Sequence, residues 1–145
     1  MAYEIIVTSS EVGNQKMQID TLIDKARHAR GHAQAPFSKF KVGAALEAAD
    51  GAIFTGCNIE NATLNLGICA ERVALFKALS EGHTRFARIA IVADSDMPTP
   101  PCGACRQLLW EFGGDLQIIS ENMQGQRVEH QLKGLFPHAF DERQL

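Results

Sequence analysis

Phe86-Ala-Arg-Ile-Ala-Ile-Val-Ala93, then Cys102-Gly-Ala-Cys-Arg-Gln-Leu-Leu-Trp-Glu-Phe112, then Leu116-Gln-Ile-Ile-Ser120 is the stretch whose reading decides the fold. The run Ile89-Ala-Ile-Val92 is short and apolar, as a buried strand requires. Asp94–Pro101 holds three prolines and reads as a loop. A helix is expected from about Cys102 to Phe112, ended by Gly113-Gly114, with another strand over Leu116–Ser120. Upstream, Lys41–Ala48 and Ala52–Cys57 are strand-like around Asp50-Gly51, a strong hairpin signal. A helix is expected from about Gln15 to Arg30, where Ile19, Leu22, Ile23, Ala26 and Ala29 recur at helical spacing. Another starts near Cys69, runs to about Ser80 and is closed by Gly82. Arg127–Glu129 is expected to pair back after the turn at Asn122–Gly125, and Leu132–Leu135 suggests a last short helix. The alternation predicts an α/β domain, a mixed sheet covered by helices.

The chain has 145 residues, 46% hydrophobic and 21% charged, the profile of one globular domain with a core of its own. Met1–Gln15 reads as an N-terminal extension, leaving residues 16–145 as the domain. The formal charge of −3 argues against a protein that tracks nucleic-acid phosphates. No apolar run approaches the ~18 residues of a membrane span. Met1–Ser10 lacks the basic start and small-residue cleavage pattern of a signal peptide, so a cytoplasmic location is expected.

Of the four cysteines, three lie in two short motifs: Cys69-Ala70-Glu71 and Pro101-Cys102-Gly103-Ala104-Cys105. A Cys-x-x-Cys pair at a helix start points two thiols at one place, and a third thiol from another helix start completes a zinc site. Three protein ligands leave the fourth tetrahedral position open, the pattern of a catalytic centre. Cys57, in the hairpin, is expected to be a buried free thiol. Glu71 projects a carboxylate beside such a centre without ligating it, which suits a proton shuttle; alone it would read as a residue serving the helix dipole. Arg72 and Arg106 each follow a motif, and either guanidinium can withdraw charge from a sulfur or stand as a solvated surface charge. Rival readings are a thioredoxin-like redox pair at Cys102 and Cys105, a structural zinc site needing a fourth ligand, and a non-catalytic zinc-binding protein. His28, His32, His83, His130 and His138 keep no fixed spacing to the cysteines and are expected to be core or surface residues.

Four longer motifs carry a resemblance: Phe37-Ser-Lys-Phe-Lys-Val-Gly-Ala-Ala-Leu46, Phe54-Thr-Gly-Cys-Asn-Ile-Glu-Asn61, Ile68-Cys-Ala-Glu-Arg72 and Pro101-Cys-Gly-Ala-Cys-Arg-Gln107. Together they resemble the small homotetrameric cytidine deaminases, from about Lys16 to the C-terminus and including Leu135-Phe-Pro-His-Ala-Phe140. The resemblance implies a three-layer sandwich with a mixed five-stranded sheet flanked by helices, and one Zn²⁺ per subunit. It implies Cys69, Cys102 and Cys105 as metal ligands and Glu71 as the catalytic proton shuttle. It implies substrate contacts from Phe40, stacking near the base, from Ala70, and from Asn58 and Glu60 on the sugar hydroxyls. Arg72 would contact the ligand sulfurs, and Phe140 would approach a neighbouring subunit's site. The implied reaction is hydrolytic deamination of cytidine or 2′-deoxycytidine in pyrimidine salvage, with a free nucleoside as substrate and no nucleic acid or membrane partner. The chain departs from the pattern where Leu64 stands for the usual aromatic, Val73 for a threonine and Phe37 for a tyrosine. The lost hydroxyls keep open an alternative substrate: a C4-modified cytosine nucleoside or another aminated heterocycle, such as a nucleoside antibiotic.

Overall fold

The computed structural model describes residues 9–145; residues 1–8 of the expected N-terminal extension lie outside the described residues. The stretch from Phe86 onward forms β3 (Phe86–Ala93), α3 (Gly103–Gly113) and β4 (Gln117–Asn122), in the expected order after α1 (Ser9–Arg30), β1 (Val42–Ala48), β2 (Ile53–Cys57) and α2 (Ala70–Ser80). β5 (Arg127–Gln131), α4 (Leu132–Leu135) and a 3₁₀ turn at Glu142–Gln144 follow. The sheet order is β2-β1-β3-β4-β5, with β3 and β4 parallel and every other pair antiparallel, a mixed five-stranded sheet. Gly51 adopts φ +88° in the β1–β2 turn, the left-handed conformation that makes Asp-Gly a hairpin signal.

Strand alternation divides the core into two layers. Ala45, Ala90, Val92 and Ile119 pack against Ile19, Leu22, Ile23 and Ala26 of α1. On the other face, Ala44, Leu46, Ile89, Ile91 and Ile118 meet Ala74, Leu75 and Ala78 of α2 and Leu109 of α3. The result is the expected helix–sheet–helix sandwich. One boundary differs. α1 begins at Ser9, about two turns before the expected Gln15, and its residues up to Gln18 are exposed. Apolar periodicity starts only at Ile19, so those turns leave no pattern to read. Glu11 in the first turn complements the helix dipole there.

Two glycines allow helix backbones to lie directly on the strands. A Cβ on Gly43 would collide with the carbonyl of Ala26 and the backbone nitrogen of Arg30 in α1. A Cβ on Gly56 would strike the Ala70 carbonyl and come within 2.6 Å of the Ala74 nitrogen in α2. Lys77 Nζ, on α2, also donates to the Thr55 carbonyl of β2. The first turn of α2 is therefore seated against β2 by main-chain contact.

Candidate active site

Cys69 is the N-cap residue of α2 and Cys102 that of α3; each has extended backbone angles, and neither makes a side-chain capping hydrogen bond. Cys105 lies one turn inside α3 and is fully buried. The two helix starts meet on the α2–α3 side of the sheet, where the three ligand atoms lie within 4.8 Å of one another. Cys69 Sγ and Cys102 Sγ are 3.8 Å apart. Four-coordinate zinc with arms of about 2.3 Å has tetrahedral edges of about 3.8 Å, so the donor set fits zinc. Among the described residues this is the one such cluster of His, Cys, Asp and Glu, and it includes no histidine.

Charge is arranged to suit thiolates. A hydrogen bond from Cys105 pulls the Cys69 thiol down to about 5, with help from Arg72 and against the cost of burial. The proton held between them, together with burial, pushes Cys105 up. Arg72 Nη2 donates to Cys69 Sγ at 3.5 Å, so its guanidinium lies against a sulfur of the cluster. Arg106 does something else. Its Nε donates to the Pro101 carbonyl at 2.7 Å and its Nη1 to the Leu135 carbonyl at 2.6 Å. It braces the residue before Cys102 against α4 and makes no hydrogen bond to a sulfur.

Glu71 is 5% exposed. Burial pushes its carboxyl up to about 7, and the charge of Cys69 adds to this while Arg72 opposes it. A carboxyl of that kind can both hold and release a proton near neutral pH. It borders a cavity of about 160 Å³ whose walls include Phe40, Asn58, Ala70, Thr99 and Cys102. A second cleft of about 360 Å³ shares Asn58 and Cys69 and is walled by Phe37, Glu60, Leu64 and Arg72.

The structure thus brings Phe40, Asn58 and Ala70 to the sulfur cluster and puts Glu60 in the adjoining cleft. Both polar side chains already have partners. Asn58 Oδ1 accepts from the Val42 nitrogen and its Nδ2 donates to the Phe40 carbonyl, each at 2.8 Å, fixing the backbone of Phe40 at the cavity wall. Glu60 accepts from the backbone nitrogen of Phe37 at 2.8 Å and from the nitrogen and hydroxyl of Ser38. The Ser38 hydroxyl, foremost, holds its carboxyl below the usual range. Phe140 is exposed, and its carbonyl accepts from Gln107 Nε2 of α3. Cys57 is a half-buried free thiol raised by burial. Sequence reading missed Thr99 and Pro100, which also line the cavity. Their signal was their place immediately before the second cysteine motif.

Residues 16–120 match the family model described as the cytidine and deoxycytidylate deaminase zinc-binding region. A protein of Sporosarcina psychrophila named cytidine deaminase is 45% identical over 130 residues, spanning 89% of this chain and 96% of its own. One of Halalkalibacterium halodurans with the same name is 48% identical over 125 residues, spanning 86% and 95%. The crystal structure of cytidine deaminase from Burkholderia pseudomallei superposes with a TM-score of 0.81 at 48% identity, covering 83% of this chain and 98% of that one.

Proposed function

The chain belongs to the cytidine and deoxycytidylate deaminase zinc-binding family, and from that premise we infer that it hydrolyses cytidine and 2′-deoxycytidine to the uridine products and ammonia. The observation that carries this reading is a buried carboxyl, Glu71, pushed up to about 7 beside a three-sulfur cluster and lining a cavity of about 160 Å³.

Cys69, Cys102 and Cys105 would hold the zinc, which when bound supplies the Lewis acidity that makes water nucleophilic at neutral pH. Glu71 Oε takes a proton from the attacking water as its oxygen bonds to C4, and passes that proton to ring N3. The same carboxylate then takes the second proton from the new C4 hydroxyl and delivers it to the departing amine. The C4–N bond breaks, ammonia leaves and Glu71 is restored. Phe40 packs against the base and Ala70 borders its edge. Asn58 keeps one amide hydrogen and one lone-pair direction free for a sugar hydroxyl, and Glu60 meets the sugar from the adjoining cleft. An ionised Glu60 disfavours a 5′-phosphate nearby, which supports a nucleoside over a nucleotide.

Glu71→Gln is expected to keep one zinc per chain and to lose turnover by about 10²–10⁴-fold, followed by ammonia release or ultraviolet absorbance with cytidine. Undiminished turnover would sink the mechanism. The exposed apolar residues Phe37 and Leu64 at the wider cleft favour, as a second reading, tolerance of C4-substituted nucleosides, which a panel of such compounds tests. The catalytic unit is residues 16–145. Exposed Phe140, Leu64 and Leu66 support packing of further copies into a homotetramer, with Phe140 reaching a neighbour's site; sedimentation tests this. Thiol ligands that must stay reduced support a cytoplasmic setting.

A further inference from the structure

The loop over residues 94–101 leads directly into Cys102 and supplies one wall of the reaction cavity through Thr99 and Pro100. It is tied down from outside. Asn122, fully buried at the end of β4, donates through Nδ2 to the Asp96 carbonyl at 3.3 Å, while its Oδ1 accepts from the nitrogens of Gln124 and Gln126. Thr99 itself sits between Pro98 and Pro100, whose rings restrict the backbone on both sides.

Within this loop the hydroxyl protons can be assigned. Ser95 Oγ lies 2.6 Å from the Met97 carbonyl and 2.9 Å from Thr99 Oγ1. A carbonyl only accepts, so the single Ser95 hydrogen points to Met97. The Ser95–Thr99 bond must then be donated by Thr99. With its one hydrogen committed to Ser95, the Thr99 hydroxyl, on a residue of the cavity wall, has only lone pairs left for a further partner.

We propose that Thr99 is a specificity residue whose hydroxyl, oriented by Ser95, is a fixed hydrogen-bond acceptor that reads the exocyclic amine of the substrate base. This rests on the deaminase reading and deepens it. The amine at C4 presents N–H donors to that acceptor. The oxygen that replaces it in the product presents lone pairs, and two acceptors facing one another leave both without a partner in a partly closed site. Thr99 thereby separates substrate from product without moving a proton, and Ser95 acts through it as a positioning residue.

The test measures binding with turnover switched off. In zinc-loaded Glu71→Gln protein, dissociation constants for cytidine and uridine are determined by calorimetry, alone and with Thr99→Val or Ser95→Ala added. Thr99→Val is expected to weaken cytidine roughly 3- to 10-fold while leaving uridine unchanged or tighter. Ser95→Ala keeps the Thr99 oxygen but frees its hydrogen, so uridine is expected to tighten and the cytidine-to-uridine preference to narrow. That second effect is not one a purely structural residue would produce, and it carries the test if Thr99→Val fails to fold. Equal weakening of both ligands, or an unchanged preference in both variants, overturns the proposal. Wild-type protein that releases no ammonia from cytidine would overturn the deaminase reading as well, and active wild-type protein with an unchanged preference overturns the role of Thr99 alone.

Discussion

Gly56→Ala probes how α2 is held at the angle that brings Cys69 to Cys102. The added Cβ would stand 2.6 Å from the Ala74 nitrogen, against 3.4 Å for the start of ordinary contact, and closer still to the Ala70 carbonyl. Both obstacles are backbone, so no side chain can swing away. α2 and β2 must part by roughly 0.8 Å or more. Overpacking of this kind costs about 1–3 kcal/mol, which for a chain of this size lowers Tm by roughly 3–10 °C. The displacement falls on the turn that carries Cys69, Ala70 and Glu71, and misplacing a reacting group by about 1 Å can cost about 10²-fold in rate. The assay is kcat/KM with cytidine at full zinc, beside a thermal melt. Gly13→Ala is the control, since nothing lies within 4 Å of its Cβ on exposed α1; better helix propensity there stabilises slightly and leaves activity alone. If Gly56→Ala melts and turns over within twofold of wild type, β2 yields freely and main-chain contact does not set the site.

Other perturbations separate further parts of the structure. Arg106→Ala removes two charge-assisted bonds, to the Pro101 and Leu135 carbonyls, each worth about 1.5–3 kcal/mol, and is expected to speed stripping of zinc by a chelator. Arg106→Lys restores little, because a single ammonium cannot span both carbonyls as the guanidinium fork does. Glu121, with its side chain 7% exposed, joins α1 to the β4–β5 hairpin through Arg27 at 2.5 Å and Arg127 at 2.9 Å. Glu121→Gln leaves two facing guanidiniums and is expected to cost about 2 kcal/mol in urea unfolding, the arginines being partly solvated, with kcat at 25 °C unchanged. Asp141 is held well below the usual carboxylate range by Arg143 first and then by Trp110, whose Nε1 donates to it at 3.1 Å. A lowered folded-state pKa gives stability that is fully present above the unfolded value of about 3.9 and is lost progressively as pH falls from there through the folded one. Emission from the single tryptophan should therefore stay constant down through pH 4 and shift below it, whereas a shift centred at the ordinary carboxylate value would refute the assignment.

The parts of this protein visible in its sequence are those written in local patterns. Asp50-Gly51 announced the hairpin, Ile89–Val92 the central strand, and Gly113-Gly114 the end of α3. Cys69 and the Cys102/Cys105 pair disclosed a three-thiol centre because both motifs sit where helices begin. What stayed hidden depends on partners distant in the chain. Arg106 lies beside Cys105 in sequence, yet its partners are the Pro101 and Leu135 carbonyls. Gly43 and Gly56 read as ordinary strand residues until helix backbones are laid against them. Asn58 and Glu60 were read for what they present to a ligand, and no local pattern reveals that each also fastens the chain around Phe37–Val42. The exposed first turns of α1 bury nothing and so carry no periodicity.

Cysteine at both helix caps sets two demands against each other. A serine, threonine or aspartate at such a position usually adds about 1 kcal/mol to its helix, whereas the thiols of Cys69 and Cys102 make no capping bond. At these two positions, the residue that best starts the helix is a poorer zinc ligand. Selection for thermal stability alone, in protein without metal, would favour oxygen-bearing replacements there and drift away from activity. A cation held by these thiols would be a shared terminus for two helices from separate parts of the chain. The β2–α2 and β3–α3 units would thereby be coupled in folding, and loss of the metal would be felt as loosening at both helix starts together.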